Sequence, residues 1–176
     1  MLNKKSYRQL SSFTYISNYP QEVKEQVKQL VEQDRLADYL LNKYPSTHQF
    51  VNDKSLREFT ISIKNQYIKK SSPLSQVIYD PKIHVIHNAL GLHTFISRIQ
   101  GSKLKSKNKI RASEIFRKSP KAFLRMILVH ELAHLKEKEH NKAFYKLCTH
   151  MQSNYHQVEF DLRIYLTHLD LFGKLY

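Results

Sequence analysis

Residues 122–135, A-F-L-R-M-I-L-V-H-E-L-A-H-L, are apolar almost all the way round a helix, with Arg125, His130, Glu131 and His134 as the polar interruptions. A helix without a polar face belongs inside a fold. Two imidazoles and a carboxylate on such a helix are costly unless partners meet them. His130 and His134 are four residues apart, so both rings project from one face, one turn from each other. The spacing H-E-x-x-H therefore puts two nitrogen ligands within reach of a single ion, with Glu131 beside them. Whatever else the chain does, it has to bury this helix and supply the remaining partners.

Zinc takes imidazole nitrogen and is tetrahedral, so two helical ligands leave two positions, one for a third protein ligand and one for water. Glu131 is placed by type to take that water's proton as general base. The candidate third ligands are His140 and Glu159. His140 lies ten residues beyond His130, about 280° round a continuous helix and off the shared face. The chain must therefore turn between about Lys136 and Glu139 to bring His140 back. The intervening K-E-K-E has no glycine or proline to force that turn, but a new apolar period (Ala143, Phe144, Leu147, Cys148) starts just after His140-Asn141. His150 and His156 read as structural or exposed.

At 176 residues the chain is long enough to bury one core without staples and reads as a single domain over 1–176. Its single cysteine, Cys148, excludes a disulfide framework and reads as a small core residue. No apolar segment follows the basic N-terminus, and no run approaches membrane-spanning length, so a cytoplasmic protein without signal peptide or membrane anchor is expected. The unusual quantity is a net charge of +14, whose field attracts anions: nucleotide phosphates, nucleic acid or acidic peptides.

Taken in order, residues 1–19 read as a loosely ordered arm or short strand. Pro20 opens a helix to about Asn42, and Pro45 ends it. A second helix runs from an N-cap near Asp53 to about Lys70. The period then changes to two. Gln76 to Tyr79, Lys82 to Asn88, Leu92 to Gln100 and Lys103 to Phe116 read as strands, with a hairpin at Gly101-Ser102. Ser119-Pro120 is expected to cap the H-E-x-x-H helix, followed by helices over Asn141 to Gln152 and His156 to Phe172. The pattern predicts α+β: a helical part over 1–75, then a catalytic core over 76–176 built on a small antiparallel sheet.

The segment H-E-L-A-H-L-K-E-K-E-H-N-K-A-F-Y resembles the active site of the YgjP-like metal-dependent hydrolases, relatives of the SprT and WLM zinc metallopeptidases. The matching positions are His130, Glu131, His134, His140, Asn141, Phe144 and Tyr145. Further resemblance lies in Ser97 to Lys105 (S-R-I-Q-G-S-K-L-K), Phe123 to Ile127 (F-L-R-M-I) and the tail Y-H-Q-V-E-F-D, so that it covers nearly the whole chain. The resemblance implies a zincin-like fold and one zinc ion, and it raises His140 above Glu159 as third ligand. It implies either a metallopeptidase-like activity or a nucleotide (UTP) pyrophosphatase.

The basic residues bear on that choice. Between Arg98 and Arg125 there are ten basic residues against one acid, Glu114. Lys103, Lys105, Lys107, Lys109 and Arg111 alternate strictly, so a strand puts all five on one face. With Arg98 they are candidate substrate- or phosphate-binding residues. The competing reading is a solvated edge strand that uses lysine against aggregation. Aromatic residues are not interleaved with the lysines, so base stacking is not expected there. His84, His87 and His93 fall in the same sheet, any of them able to stabilise an oxyanion, though core or surface roles are the default. Three functions follow: hydrolysis of a peptide bond, hydrolysis of a phosphoanhydride at the same metal, or a nucleic-acid-binding module with a structural metal, which retained Glu131 disfavours.

Overall fold

The computed structural model describes residues 13–83, 91–100 and 103–176, the strand positions up to 107 by backbone alone. His84, His87 and the turn at Gly101-Ser102 lie outside the described residues. The chain divides into two compact units, residues 1–47 with 156–176, and residues 48–155.

The first unit holds a 3-10 turn (Phe13–Ile16), α1 (Gln21–Glu32), α2 (Leu36–Lys43) and most of α6 (Tyr155–Phe172). The single helix expected from Pro20 to Asn42 is two. Asp34 takes a left-handed conformation (φ 54°), and the Arg35 N–H reaches back to the Leu30 carbonyl at 2.8 Å, closing a Schellman-type end. On one continuous helix Leu36 and Leu40 would lie about 180° from Val27 and Val31, and the break lets both pairs be buried. Ile16, Val27, Leu36, Leu40, Val158 and Leu162 are buried. Among them the carboxylate of Asp161 is also fully buried, accepting from Tyr39 Oη and Tyr44 Oη (2.7 Å each), Lys43 Nζ (3.1 Å) and Gln157 Nε2 (3.1 Å). Four donors are what a buried carboxylate requires.

The second unit contains α3 (Asp53–Tyr67), a three-stranded sheet, α4 (Lys121–Ala133) and α5 (Lys142–Met151). Asn52 rather than Asp53 is the N-cap of α3, in a capping box with Ser55. Asp53 Oδ1 instead accepts from the Tyr79 N–H at 2.9 Å, tying α3 to the sheet. The strands are β1 (Leu74–Asp80), β2 (Gly91–Gln100) and β3 (Lys103–Ser113), in the order β1-β3-β2. β2 and β3 form the expected antiparallel hairpin pair, but β1 runs parallel to β3. The sheet is therefore mixed, not antiparallel. Period-two patterning fixes which side chains share a face but neither a strand's neighbour nor its direction. Lys82 and Ile83 are not in a strand, and the extended run ends at Ser113, giving way to a 3-10 turn (Glu114–Lys118) that buries Phe116.

One face of the sheet is dry: Leu74, Val77, Tyr79, Asn108, Ile110 and Ala112 are buried on it. α3 packs against β1, and α4 against β2 and β3. α4 itself buries Phe123, Leu124, Met126, Ile127, Leu128, Val129, Leu132 and Ala133, so the helix with no polar face is interior as its composition demands. Ser119 does not cap it. Pro120 holds the cap position, and the Ser119 hydroxyl donates to the Phe116 carbonyl at 3.1 Å. The polar interruption at Arg125 is satisfied too, its guanidinium donating to the Met151 carbonyl at the end of α5 (2.8 Å).

Candidate metal centre

α4 ends at its second histidine. His134 is the C-cap residue, still close to helical, and the Glu137 N–H bonds back to the Ala133 carbonyl at 3.0 Å. The chain then turns through residues 134–140 without any positive φ and without glycine. Two side-chain bonds hold the turn. The His134 Nδ1–H donates to the Glu137 carbonyl at 3.0 Å, and Asn141 caps α5 by accepting from the Phe144 N–H at 2.9 Å. The break therefore begins at His134, slightly earlier than the Lys136–Glu139 window that the sequence requires.

This turn returns His140 to the other two rings. Its Nε2 lies 3.2 Å from His130 Nε2 and 3.1 Å from His134 Nε2. Phe144, fully buried, forms the floor, its ring centroid 4.9, 4.7 and 4.7 Å from those of His130, His134 and His140. A carbonyl can only accept, so the His134 ring proton sits on Nδ1 and its Nε2 offers a lone pair. A proton on His140 Nε2 can lie on the line to one neighbour but not to both; a cation faces all three. Ligands about 2.0–2.1 Å from a tetrahedral zinc are about 3.3–3.4 Å apart, close to the spacing seen. The residues fit a metal ion.

Outer partners orient the rings. His130 Nδ1 is 2.8 Å from the hydroxyl of Tyr155, whose side chain is fully buried. Such contacts fix the tautomer and orientation of a ligand histidine. Tyr155 was not legible as a site residue: it lies 25 positions from His130 with no periodic relation to it, and its one signal is that it opens the Y-H-Q-V-E-F-D tail. Burial holds His134 below the ordinary histidine range. Glu131 is 3% exposed, and burial alone pushes its carboxyl up to about 8. A base titrating in that region suits proton transfer at neutral pH, and a cation beside it would favour the carboxylate.

The other candidates fall elsewhere. Glu159 lies on α6 and is engaged by Arg163 one turn on, at 3.0 Å. Cys148 is buried, His150 packs edge-on against Tyr67, and His156 is exposed. By register, Arg98 stands opposite Lys105, and Lys103, Lys107, Lys109 and Arg111 stand opposite Gln100, Ile96, Thr94 and Leu92. β1 pairs with β3 only from Asn108 to Ser113, so Lys109 and Arg111 stand where β3 is paired on both sides, whereas Lys103, Lys105 and Lys107 precede that pairing and Arg98 belongs to the terminal strand β2. Lys109 and Arg111 are half-buried on the face opposite Ile110 and Ala112, away from α4, and Arg111 pairs with Asp80. His93 alternates with them and takes a register position on the α4 side, opposite Ile110.

Comparison with known proteins agrees with this geometry. A family described as YgjP-like, metallopeptidase domain, matches residues 3–165. The chain is 54% identical over 162 residues to a protein of Escherichia coli (strain K12) named UTP pyrophosphatase, covering 92% of this chain and 97% of that one. No solved structure matches it. Both descriptions are of hydrolases, and a family match over nearly the whole length settles membership: the chain belongs to the YgjP-like family of metallopeptidase-type hydrolases.

Proposed function

We propose that the chain is a zinc-dependent hydrolase that cleaves a phosphoanhydride bond of a nucleoside triphosphate, UTP first among them. His130, His134 and His140 hold the ion and Glu131 acts as general base. The observation that carries the reading is the convergence of three histidine nitrogens at 3.1–3.2 Å beside a buried carboxylate. The nucleotide is supported by the 54% identical relative and by the net charge of +14, which favours an anionic substrate. When bound, the ion polarises the scissile bond and acidifies water. Glu131 accepts the proton of the attacking water and returns it to the leaving group. The Tyr155 and Glu137 contacts keep the two helical imidazoles aimed while this happens. The family match runs through both compact units, supporting one domain of zincin-like fold, with residues 1–75 a helical part and 76–176 the catalytic core. No helix among the described residues is long and apolar enough to cross a membrane; with the lone buried cysteine this fits a cytoplasmic enzyme.

A peptide substrate is the second reading. The sheet order ends on β2, whose far edge pairs with no described strand, and an extended chain can add to such an edge. The test is zinc-loaded protein and its Glu131→Gln variant incubated in parallel with nucleoside triphosphates and with casein. Pyrophosphate release from UTP, slowed about 10²–10⁴-fold in the variant at equal zinc content, is the expected result. Casein cleavage with no nucleotide turnover would transfer the same residues to the peptide reading, and turnover of neither would remove both.

A further inference from the structure

The end of α4 away from the histidines is open. Its N-cap is Pro120, no side chain caps the first turn, and no acid stands in that turn. The first amides of the helix, those of Lys121 and Ala122, therefore lack the acceptor that a capping side chain supplies, and the helix dipole adds partial positive charge beside them. They border an open cleft of about 550 Å³, within the range of small-molecule sites. The cleft is walled by Tyr67 of α3, by Lys121, Ala122 and Arg125, and by the end of α5 with the turn after it, including Gln152. Lys121 precedes His130 by nine residues, about 13 Å along the helix axis. No residue of the cleft belongs to the histidine centre.

The polar groups of this cleft are rich in donors and short of acceptors. Lys121 and Arg125 bring two cations, and among the described residues no acid lines the cleft. The Lys121 ammonium stands over the rings of Phe50 and Phe59, 5.7 and 5.5 Å from their centroids, which places it near the helix end without neutralising it. Arg125 uses Nη2 on the Met151 carbonyl and has further N–H groups to give. Gln152 points most directly to a ligand. It is 8% exposed, yet its side chain makes no hydrogen bond among the described residues, and its Oε1 is buried without a donor. A buried amide left unpaired is costly, and the amide nitrogen is the end left to face the cleft. Helix amides, ammonium, guanidinium and carboxamide thus converge on one space, a donor set that suits the oxygens of a phosphate group.

We infer that this cleft binds the phosphate group of a small molecule, at the N-terminus of α4 and separately from the histidine centre. Two sources carry that chemistry: free phosphate, and a phosphate ester whose organic part lies against the half-buried Tyr67 ring. The test is a ¹H–¹⁵N NMR titration of the full chain with inorganic phosphate and, separately, with UMP. Saturable shifts are expected at the backbone amides of Lys121 and Ala122 and at the side-chain amide of Gln152. Tighter binding of UMP assigns the ester and equal or weaker binding assigns free phosphate; both uphold the site. Lys121→Gln should weaken binding about tenfold, as the loss of one charge-assisted contact. Gln152→Leu should weaken it about as much while its melting temperature does not fall, because an unpaired amide gives way to an apolar side chain of similar size. A purely structural Gln152 would show the reverse, a lower melting temperature at unchanged affinity. Lys54→Gln, exposed on α3 and outside the cleft, should change affinity by less than about threefold. The inference is overturned by shifts confined to the surroundings of His130, His134 and His140, by no saturable shift with either probe, or by equal losses in Lys54→Gln and Lys121→Gln.

Discussion

Tyr155 is the residue on which the orientation of the histidine centre turns. Its hydroxyl, 2.8 Å from His130 Nδ1, sits at the buried end of a ring whose other nitrogen faces His140. Removing that oxygen leaves ring packing in place but frees the imidazole's tautomer and tilt. Tyr155→Phe should therefore keep the fold and weaken zinc binding about 10–100-fold, read by competition with a chelator. Unchanged affinity would make the contact incidental. His48 shows residue-scale electrostatics of another kind. It is 8% exposed; its Nε2–H donates to the Phe116 carbonyl (2.7 Å) and its Nδ1 accepts from the Phe50 N–H (3.0 Å). Both nitrogens are used by the neutral ring, and a second proton would displace the Phe50 bond. Burial accordingly lowers its pKa from 6.5, against the opposing pull of the Phe116 carbonyl. A lowered folded-state pKa means that His48 contributes its stability above the unfolded value and loses it as pH falls below 6.5. The stability difference between the intact chain and His48→Gln should shrink between pH 7.5 and pH 5 in urea titrations, and a constant difference would contradict the assignment.

At the scale of elements, the turn between α4 and α5 decides whether the third histidine is a ligand. It uses no glycine or proline, so sequence could demand the turn without identifying what makes it. The makers are a histidine–carbonyl bond inside the turn and the Asn141 cap that fixes where α5 begins. Asn141→Ala should cost about 1 kcal/mol in the metal-free protein by loss of the cap and should also weaken zinc binding, because His140 precedes the cap by one residue. Asn141→Ser, a competent cap, should restore most of both. Loss of stability with undiminished zinc affinity would separate α5 from the centre. The sheet illustrates the complementary case. Alternation located β1, the β2–β3 pair and the shared face of Lys109 and Arg111. The parallel pairing of β1 rests instead on Val77 and Tyr79 lying beside Ile110 and Ala112 under the helices, a long-range choice that no local pattern encodes.

Across the whole molecule, the legible features were those with a local chemical cause. Apolar residues all round 122–135 required burial, and four-residue spacing put His130 and His134 on one side. The angle between His130 and His140 required a break, and the break is there. The split at Asp34 is marked by no glycine or proline and shows only as a change of phase in the apolar stripe between Val31 and Leu36, and the Asp161 cluster was hidden because its partners come from opposite ends of the chain. An ion bound at the three histidines would stabilise the folded chain over the unfolded one. The most direct measurement is thermal unfolding of the intact chain, His140→Ala and Glu159→Ala, each with zinc removed and with free zinc about 100-fold above the intact chain's Kd. The account predicts a gain of about 2.7 kcal/mol, or roughly 5–10 °C, for the intact chain and Glu159→Ala, and most of it lost in His140→Ala. A full gain in His140→Ala with none in Glu159→Ala would contradict the three-histidine centre.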